Sequence, residues 1–191
     1  MKARPTHNPG EVTLELNRSD ERLLDAATRS AVKSPFIIKK ILVPIDFSDC
    51  SKKALQYALP LAKEHQATIT LLYVVPPAYR GDEYSTFNYA QLEASMREGG
   101  EKDLARLAAD EMPGGLPTDR IVAVGSPARE IIETAKALPA DLIVIATHGR
   151  TGLKHAFLGS VAEHVVRRAP CPVFVVRERE HEILRPRTTC H

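Results

Sequence analysis

One stretch of this sequence has the residue types and spacing of a phosphate-binding loop. It follows an apolar run that ends at Ile145, and a helical pattern comes after it. Gly149 and Gly159 lie within it, and Ser160 stands where it could cap the helix, with Glu163 three residues further on. This S-x-x-E spacing predicts a capping box. Glycine lets a ligand approach the backbone closely, and free N–H groups at a helix N-terminus bind anions.

The same stretch is basic, because His148, Arg150 and Lys154 add positive charge that would favour a phosphate group. Its glycines do not have the spacing of the eight-residue phosphate loop or of the G-x-G-x-x-G turn. On spacing alone, a capped helix after a loop with turn glycines explains the pattern equally well.

Two further groups stand at the ends of predicted strands, at the same edge of the expected sheet. Asp46 could accept a hydrogen bond from a base or a ribose, or help to hold Mg²⁺. Alternatively, it binds N–H groups of its own strand-to-helix turn. The second group is Gly125, Ser126 and Pro127, which could border the same crevice. Alternatively, these residues only start a helix, with Ser126 as N-cap and Pro127 in the first helical position.

No arrangement of a nucleophile or a metal site is recognisable in the sequence. Ser160 lacks the G-x-S-x-G context, and the loop histidines have no matching carboxylate pattern. The three cysteines, Cys50, Cys171 and Cys190, have no C-x-x-C spacing, which predicts neither a zinc site nor a disulfide framework. We therefore expect a protein of the reducing cytoplasm that is not a fast catalyst.

Composition excludes several other classes of function. The 191 residues are 43% hydrophobic and 26% charged, with a formal net charge of +2, which fits a globular protein rather than a dedicated nucleic-acid binder. No apolar run approaches the roughly 18 residues of a membrane span, and the start of the chain lacks a signal-peptide pattern. We expect no membrane and no nucleic-acid partner.

Five apolar runs alternate with helical patterns, which predicts an α/β fold with an open, doubly wound parallel sheet and helices on both faces. The helical pattern from Tyr89 to Glu111 contains Gly99 and Gly100, which should interrupt and loosen it. The predicted strands are Ile37 to Val43, Ala67 to Val75, Arg120 to Val124, Asp141 to Ala146 and Val173 to Val176.

Composition also divides the chain into three parts. Residues 1–35 are predicted to be an N-terminal extension, with irregular chain marked by Pro5, Pro9 and Gly10 and a weak strand signal at Val12, Leu14 and Leu16. A short helix is expected over Asp20–Val32. Residues 36–178 form the expected domain, and residues 179–191 a charged tail.

Several segments, in this order along the chain, resemble the universal stress protein family. They are ILVPIDFS at 41–48, LLYVV at 71–75, GSP at 125–127, THGRTGL at 147–153 and GSVAEHVVRRAPCPVFVV at 159–176. The resemblance covers about residues 36–177. It implies a Rossmann-like sheet of five parallel strands in the order 3-2-1-4-5, as in adenine nucleotide alpha hydrolases. It also implies a homodimer paired through the last strand, Val173–Val176.

Family members that bind ATP carry the pattern G-x2-G-x9-G-S/T. Here Gly149, Gly159 and Ser160 match it, whereas Ala146 stands at the first glycine position. An added methyl group is a small obstacle if the backbone there is extended, because only a positive φ demands glycine. The resemblance implies bound ATP, with Mg²⁺ as an accompanying ion. It assigns adenine and ribose to Pro44, Ile45, Asp46 and Val74, the phosphates to Gly149, Arg150, Gly159, Ser160 and Val161, and the crevice wall to Gly125.

The leading hypothesis is an ATP-binding sensor or regulator of the stress response that acts as a homodimer. Two alternatives remain. One is a slow ATP hydrolase, in which Mg-ATP lies beside Asp46 and basic residues. The other is a nucleotide-free dimeric interaction module, which Ala146 favours. In the leading hypothesis, a valine at Gly159 abolishes nucleotide binding without unfolding the domain.

Overall fold

A computed structural model of the chain describes residues 2–5, 12–15, 37–77, 89–112, 114–149 and 158–177. Contacts divide the chain into two compact units, Met1–Ile37 and Ile38–His191. The predicted helix Asp20–Val32 and the charged tail lie outside the described residues. Among the helices within these ranges, none combines the length and the apolar character needed to cross a membrane.

The first unit contains a two-stranded antiparallel sheet. Strand β1 (Lys2–Pro5) pairs with β2 (Val12–Glu15), with Lys2 opposite Glu15 and Pro5 opposite Val12. The strand signal of the alternating apolar residues is confirmed by β2. The expectation of irregular chain was wrong at Pro5, because a proline is accommodated at the end of an edge strand despite its missing N–H donor. Pro9 and Gly10 lie outside the described residues.

The second unit alternates strands and helices around one parallel sheet. Its elements are β3 (Lys40–Pro44), α1 (Asp49–His65), β4 (Thr68–Val75), α2 (Tyr89–Glu111), β5 (Thr118–Val124), α3 (Pro127–Ala137), β6 (Leu142–Ala146), α4 (Ser160–Arg168) and β7 (Val173–Val176). The strand order is β5-β4-β3-β6-β7, which is 3-2-1-4-5 within this unit, as the resemblance implied. The order reverses between β3 and β6, so a crevice opens there at the carboxyl ends of the strands.

Side chains alternate along the buried strands between two apolar layers. In β3, Ile41 and Val43 face a core closed by α1 and α2, whereas Leu42 faces a second core closed by α3 and α4. All three side chains are fully buried. The prediction of parallel strands buried on both faces is therefore confirmed.

Strand β3 starts later than its apolar run indicated. The N–H groups of Lys39 and Lys40 both donate to Asp141 Oδ2, at 2.7 and 2.9 Å. The Lys40 ammonium donates to the Leu138 carbonyl at 3.0 Å. A side-chain carboxylate thus binds the Lys39 N–H that a neighbouring strand would otherwise bind. Ile37 lies outside the strand and is exposed.

Two helices begin directly after a serine at the N-cap, and the serine before the second of them is the one that the sequence predicted. Ser48 is the N-cap of α1, and the Ser51 N–H donates to its Oγ at 3.2 Å. Ser126 is the N-cap of α3 and Pro127 the first helical residue, although the Ser126 side chain makes no capping hydrogen bond.

Helix α2 runs without a break through Gly99 and Gly100, so the expected interruption was wrong. Gly100 is buried, and a Cβ placed there would lie 2.5 Å from Cδ1 of Tyr73. A Cβ at Gly99 would meet nothing within 4 Å. Gly100 therefore allows the helix to approach the Tyr73 ring on β4 closely.

The two adjacent glycines should respond in opposite directions to alanine. Gly99→Ala should stabilise the protein by up to about 1 kcal/mol, because alanine has the higher helix propensity. Gly100→Ala should destabilise it by about 1–3 kcal/mol, because its methyl group would overlap the Tyr73 ring. Chemical denaturation measures both free energies of unfolding, and shifts of the same sign would contradict the packing at Gly100.

Candidate functional site

A cavity of about 460 Å³ opens at the carboxyl ends of β3, β4 and β6, where the strand order reverses. Its walls also include the turn after β6 and residues of the four helices. Among the predicted site residues that the structure describes, it brings together all except Gly125. The described residues that line it are Pro44, Ile45, Asp46, Ser51, Leu72, Tyr73, Val74, Pro76, Met96, Pro127, Ile131, Ile145, Ala146, Thr147, His148, Gly149, Gly159, Ser160, Val161 and Ala162.

A backbone hydrogen bond closes the loop between β6 and α4. The Gly159 N–H donates to the Thr147 carbonyl at 2.8 Å, and the Thr147 N–H donates to the Val176 carbonyl of β7 at 2.8 Å. Thr147 is buried, and its Oγ1 lies 2.9 Å from His148 Nδ1. These bonds hold the start of α4 at the carboxyl end of β6, beside the cavity.

Helix α4 begins one residue earlier than the capping pattern indicated. Gly159 is the N-cap and Ser160 is already helical, so the predicted capping box was wrong. The Glu163 N–H donates to the Gly159 carbonyl at 2.9 Å, while the Glu163 carboxylate pairs with Arg167. The first N–H groups of a helix have no partner within it. Ser160 and Val161 therefore bring such donors to the cavity wall.

Asp46 stands just after β3 and is held by the turn that follows it. Its Oδ1 accepts hydrogen bonds from the Ser48 N–H at 3.0 Å and from the Ser48 hydroxyl at 2.5 Å. The Asp46 N–H donates weakly to Ser51 Oγ at 3.4 Å. The interpretation in which Asp46 binds groups of its own turn is therefore confirmed, and the same residue also lines the cavity.

Gly149 is favoured by a close contact rather than by its backbone conformation. A Cβ at this position would overlap Asp46 Oδ2, whereas its φ lies outside the left-handed range. A larger residue would push the Asp46 carboxylate out of place. The contact therefore joins the turn after β3 to the loop after β6.

Ala146, which departs from the family pattern, is an ordinary strand residue. It lies opposite Val176 of β7 and is buried. Among the described non-glycine residues, positive φ occurs at Phe47 and Gln66, so the backbone at Ala146 does not require glycine. Ala146 belongs to the core on the α1 and α2 side and also lines the cavity.

An apolar wall on the α3 and α4 side completes the cavity. Val74, Ile131 and Ile145 are buried, line the cavity and belong to one core cluster. At the β3 edge, the Ile45 N–H already donates to the Leu72 carbonyl at 2.8 Å. Ligand pockets of this kind combine apolar walls with a few polar groups that orient the ligand.

Gly125 is the predicted site residue that the structure places away from the cavity lining. It follows β5, and a Cβ there would lie 2.5 Å from Glu130 Oε1. Its φ of +155° also favours glycine. Gly125 therefore serves the tight start of α3. Arg150 lies outside the described residues.

Several cavity residues were missed because they carry no binding motif. Tyr73 and Met96 line the α2 side, and the Phe47 ring packs on Tyr73 with centroids 4.9 Å apart. Phe47 has a φ of +64°, which is unusual for a bulky residue. Ser51 is buried on α1, where its Oγ donates to the Ser48 carbonyl at 2.9 Å. Its position as a serine within the apolar face of α1 was the one feature of the sequence that could have indicated Ser51 as a cavity residue.

The electrostatics of the described residues do not favour a metal or thiol centre. Within these residues, no group of three or more His, Cys, Asp or Glu side chains is arranged to hold a metal ion. Cys171 follows α4, away from the cavity lining. Burial, with the negative charge of Asp141 as a second cause, raises the pKa of its thiol. A raised pKa keeps the thiol protonated and weakens it as a nucleophile.

Comparison with known proteins assigns this arrangement to a family. The sequence model of the universal stress protein family matches residues 38–177, which include every element of the parallel sheet. This chain belongs to the universal stress protein family. Universal stress protein MJ0531 from Methanocaldococcus jannaschii is 36% identical to it over 146 residues, which are 76% of this chain and 86% of that protein.

Solved structures of universal stress proteins share the fold. The structure of MJ0577 from M. jannaschii matches this one with a TM-score of 0.67 at 28% identity, covering 76% of this chain and 100% of that one. A universal stress protein solved in complex with cAMP matches with a TM-score of 0.54 at 22% identity, covering 74% and 98%.

Because Gly159 lies close to the Thr147 carbonyl, a substitution at Gly159 would affect folding as well as ligand binding. A Cβ at Gly159 would lie 2.7 Å from the Thr147 carbonyl oxygen, which the Gly159 N–H itself binds. A valine at this position would disturb the fold together with the site. The expectation that it selectively blocks a ligand was therefore wrong.

Gly159→Ala should destabilise the protein by about 1–3 kcal/mol, because the carbonyl cannot move away without losing its hydrogen bond. Gly114→Ala is the matched control, since a Cβ there would meet nothing within 4 Å. Denaturant unfolding measures the two free energies. A Gly159→Ala protein as stable as the parent would contradict the closed loop.

Proposed function

We propose that this chain is a homodimeric stress-response regulator that binds ATP in the cavity at the carboxyl ends of its strands. The observation that carries the proposal is that the Asp46 carboxylate, the start of α4 and an apolar wall meet in one cavity. These surfaces suit the ribose, the phosphates and the base of a nucleotide. The stress-response role rests on membership of the family. We place the protein in the cytoplasm, because its three cysteines do not have the spacing of a disulfide framework.

The phosphates would bind at the start of α4. The N–H groups of Ser160 and Val161 have no partner within the helix, and the helix dipole favours negative charge there by about 0.3–1 kcal/mol. Ser160 is exposed and could donate its hydroxyl to a phosphate oxygen. Gly149 leaves the loop backbone accessible to the ligand, and Arg150 is the proposed additional cation.

The base and the ribose would bind along the strand ends. Pro44, Ile45 and Val74 line the cavity and would contact adenine, which has large apolar faces. The Asp46 carboxylate would accept hydrogen bonds from the ribose hydroxyls. Ala146 would be tolerated, because its backbone is extended and a single methyl group takes little space.

Mg²⁺ would enter with the ATP phosphates, which are its usual ligands in nucleotide sites. Slow hydrolysis is the second candidate activity, because Asp46 and His148 both line the cavity. We expect it to be slow, since the Asp46 carboxylate is already held by Ser48 and would serve the ribose rather than an attacking water.

The fold supports the proposed class of ligand. A universal stress protein of this fold has been solved in complex with cAMP, which supports the proposal of an adenine nucleotide as the ligand. In this chain the proposal of ATP depends on the cavity itself, and on donors at the start of α4 that suit several phosphate groups.

Titration with Mg-ATP tests the proposal. Millimolar nucleotide should produce a heat of binding and raise the melting temperature, because a ligand that binds the folded state stabilises it. Ser160→Asp should weaken binding by at least about tenfold, since its carboxylate would repel the phosphates. An acid in the first turn of α4 should leave the helix at least as stable.

Ser126→Asp is the matched control for added charge. It places the same carboxylate on an exposed residue at the N-cap of α3, outside the cavity lining, and should weaken binding much less than Ser160→Asp does, because solvent screens a charge that does not contact the phosphates. No heat and no shift in melting temperature for the parent would exclude ATP binding. It would leave the nucleotide-free interaction module.

The proposed dimer surface is the free edge of β7, which pairs with β6 at the end of the described sheet. The carbonyls of Pro172 and Val176 accept hydrogen bonds from the β6 side. The backbone groups of Val173 and Val175 therefore face the other way. Phe174 is 38% exposed on this strand. Outward backbone groups on an edge strand can pair with a second copy of the chain.

Val175→Pro should convert the dimer into a monomer, because proline removes an outward N–H without removing a hydrogen bond to β6. Size exclusion with light scattering measures the mass, which should be twice the monomer mass for the parent and the monomer mass for the variant. A monomeric parent would contradict the dimer. A variant that stays dimeric would contradict pairing through β7.

A further inference from the structure

The side chain of Ser48 serves two neighbours at once. Its oxygen accepts the Ser51 N–H at 3.2 Å as the cap of α1, and its hydroxyl also bonds to Asp46 Oδ1 at 2.5 Å. A hydroxyl has one hydrogen. Because the Ser51 N–H is itself a donor, that hydrogen is directed to Asp46. The Ser48 N–H gives the same carboxylate oxygen a second donor at 3.0 Å.

These two hydrogen bonds select one orientation of the Asp46 carboxylate. Asp46 is half-buried at the edge of the sheet, where an aspartate side chain has several staggered rotamers available. With Oδ1 bound by both donors of Ser48, Oδ2 lies beside Gly149, at a position where a Cβ of that residue would overlap it. The turn after β3 thus sets how the carboxylate meets the cavity.

Phe47, which lies between these two residues, has an unfavourable conformation that ordinary helix capping does not require. Its φ of +64° is left-handed, which is unfavourable for a bulky residue. Its ring packs on Tyr73 with centroids 4.9 Å apart, which holds the residue in place. For comparison, the N-cap serine of α3, Ser126, makes no side-chain capping hydrogen bond, so a helix of this protein can start without the arrangement seen at Ser48. A strained residue beside a candidate ligand site points to a functional constraint.

We propose that Ser48 is a positioning residue for ribose recognition, because it orients the Asp46 carboxylate to accept the ribose hydroxyls of a bound nucleotide. The inference rests on the proposed ATP binding. Ser48 is not among the described residues that line the cavity, so it acts through Asp46 and not by touching the ligand.

The first test compares ATP with 2′,3′-dideoxy-ATP, which lacks both hydroxyls. Ser48→Ala should weaken binding of ATP by about tenfold and leave that of dideoxy-ATP within about twofold, because only ATP uses the oriented carboxylate. Ser48→Thr keeps the hydroxyl and should restore ATP binding. Ser126→Ala, at a cap without a side-chain hydrogen bond, should change neither affinity.

Loss of the α1 cap can be separated from loss of positioning. Ser48→Gly keeps a residue that is favoured at the N-cap, where glycine replaces serine at little cost, but it has no hydroxyl to donate to Asp46. It should lose the preference for ATP over dideoxy-ATP while its melting temperature stays near that of the parent. Equal weakening of both nucleotides in Ser48→Ala, with the preference kept in Ser48→Gly, would overturn the proposal.

A measurement without ligand tests the positioning of Asp46 by Ser48 independently of the proposed ATP binding. The three-bond Hα–Hβ couplings of Asp46 should indicate one rotamer in the parent and in Ser48→Thr, and an average over rotamers in Ser48→Ala. Unchanged couplings in Ser48→Ala would overturn the positioning role whether or not ATP binds. If the parent binds neither nucleotide while the couplings average in Ser48→Ala, ATP binding is overturned and the orientation of Asp46 by Ser48 stands.

Discussion

The hydrogen bond from the Gly159 N–H to the Thr147 carbonyl is the contact on which the rest of the site depends. At 2.8 Å it joins the end of β6 to the start of α4, and Thr147 also donates to Val176 of β7. The proposed phosphate end of the cavity and the proposed dimer edge therefore share one anchor. This hydrogen bond is costly to break, because Thr147 is buried and its carbonyl would be left without a partner.

A second close contact joins the two strands that flank the reversal of strand order. The Asp46 carboxylate lies against Gly149 just as the Thr147 carbonyl lies against Gly159. Each glycine admits an oxygen atom of the protein where a Cβ would collide with it. The spacing of these glycines is therefore explained by contacts within the protein that shape the crevice, before any ligand is considered. The proposed ligand follows from what the crevice then presents, which is unpaired N–H groups, one oriented carboxylate and an apolar wall.

Local patterns in the sequence predicted most of the fold, and the errors share one cause. The start of β3 was misjudged because Asp141 binds the backbone before the strand. Gly100 looked like a break in α2, whereas it makes room for Tyr73. Ser160 looked like a cap, whereas the bond to Thr147 makes Gly159 the cap. In each case the deciding partner is distant in sequence or lies across a loop, so no local pattern contains it.

By itself, the sequence determined the alternation of strands and helices, the parallel doubly wound sheet and the family, because periodicity and motif order are properties of the chain. It also indicated which residues gather at the carboxyl edge, since parallel strands bring their ends together. The tertiary structure decided that Ala146 has a backbone that does not need glycine, and that Gly125 serves α3. It also decided that Ser48 holds Asp46 in one orientation. These features depend on distances of a few ångströms between atoms of separate segments, which exist only once the sheet and its helices have packed.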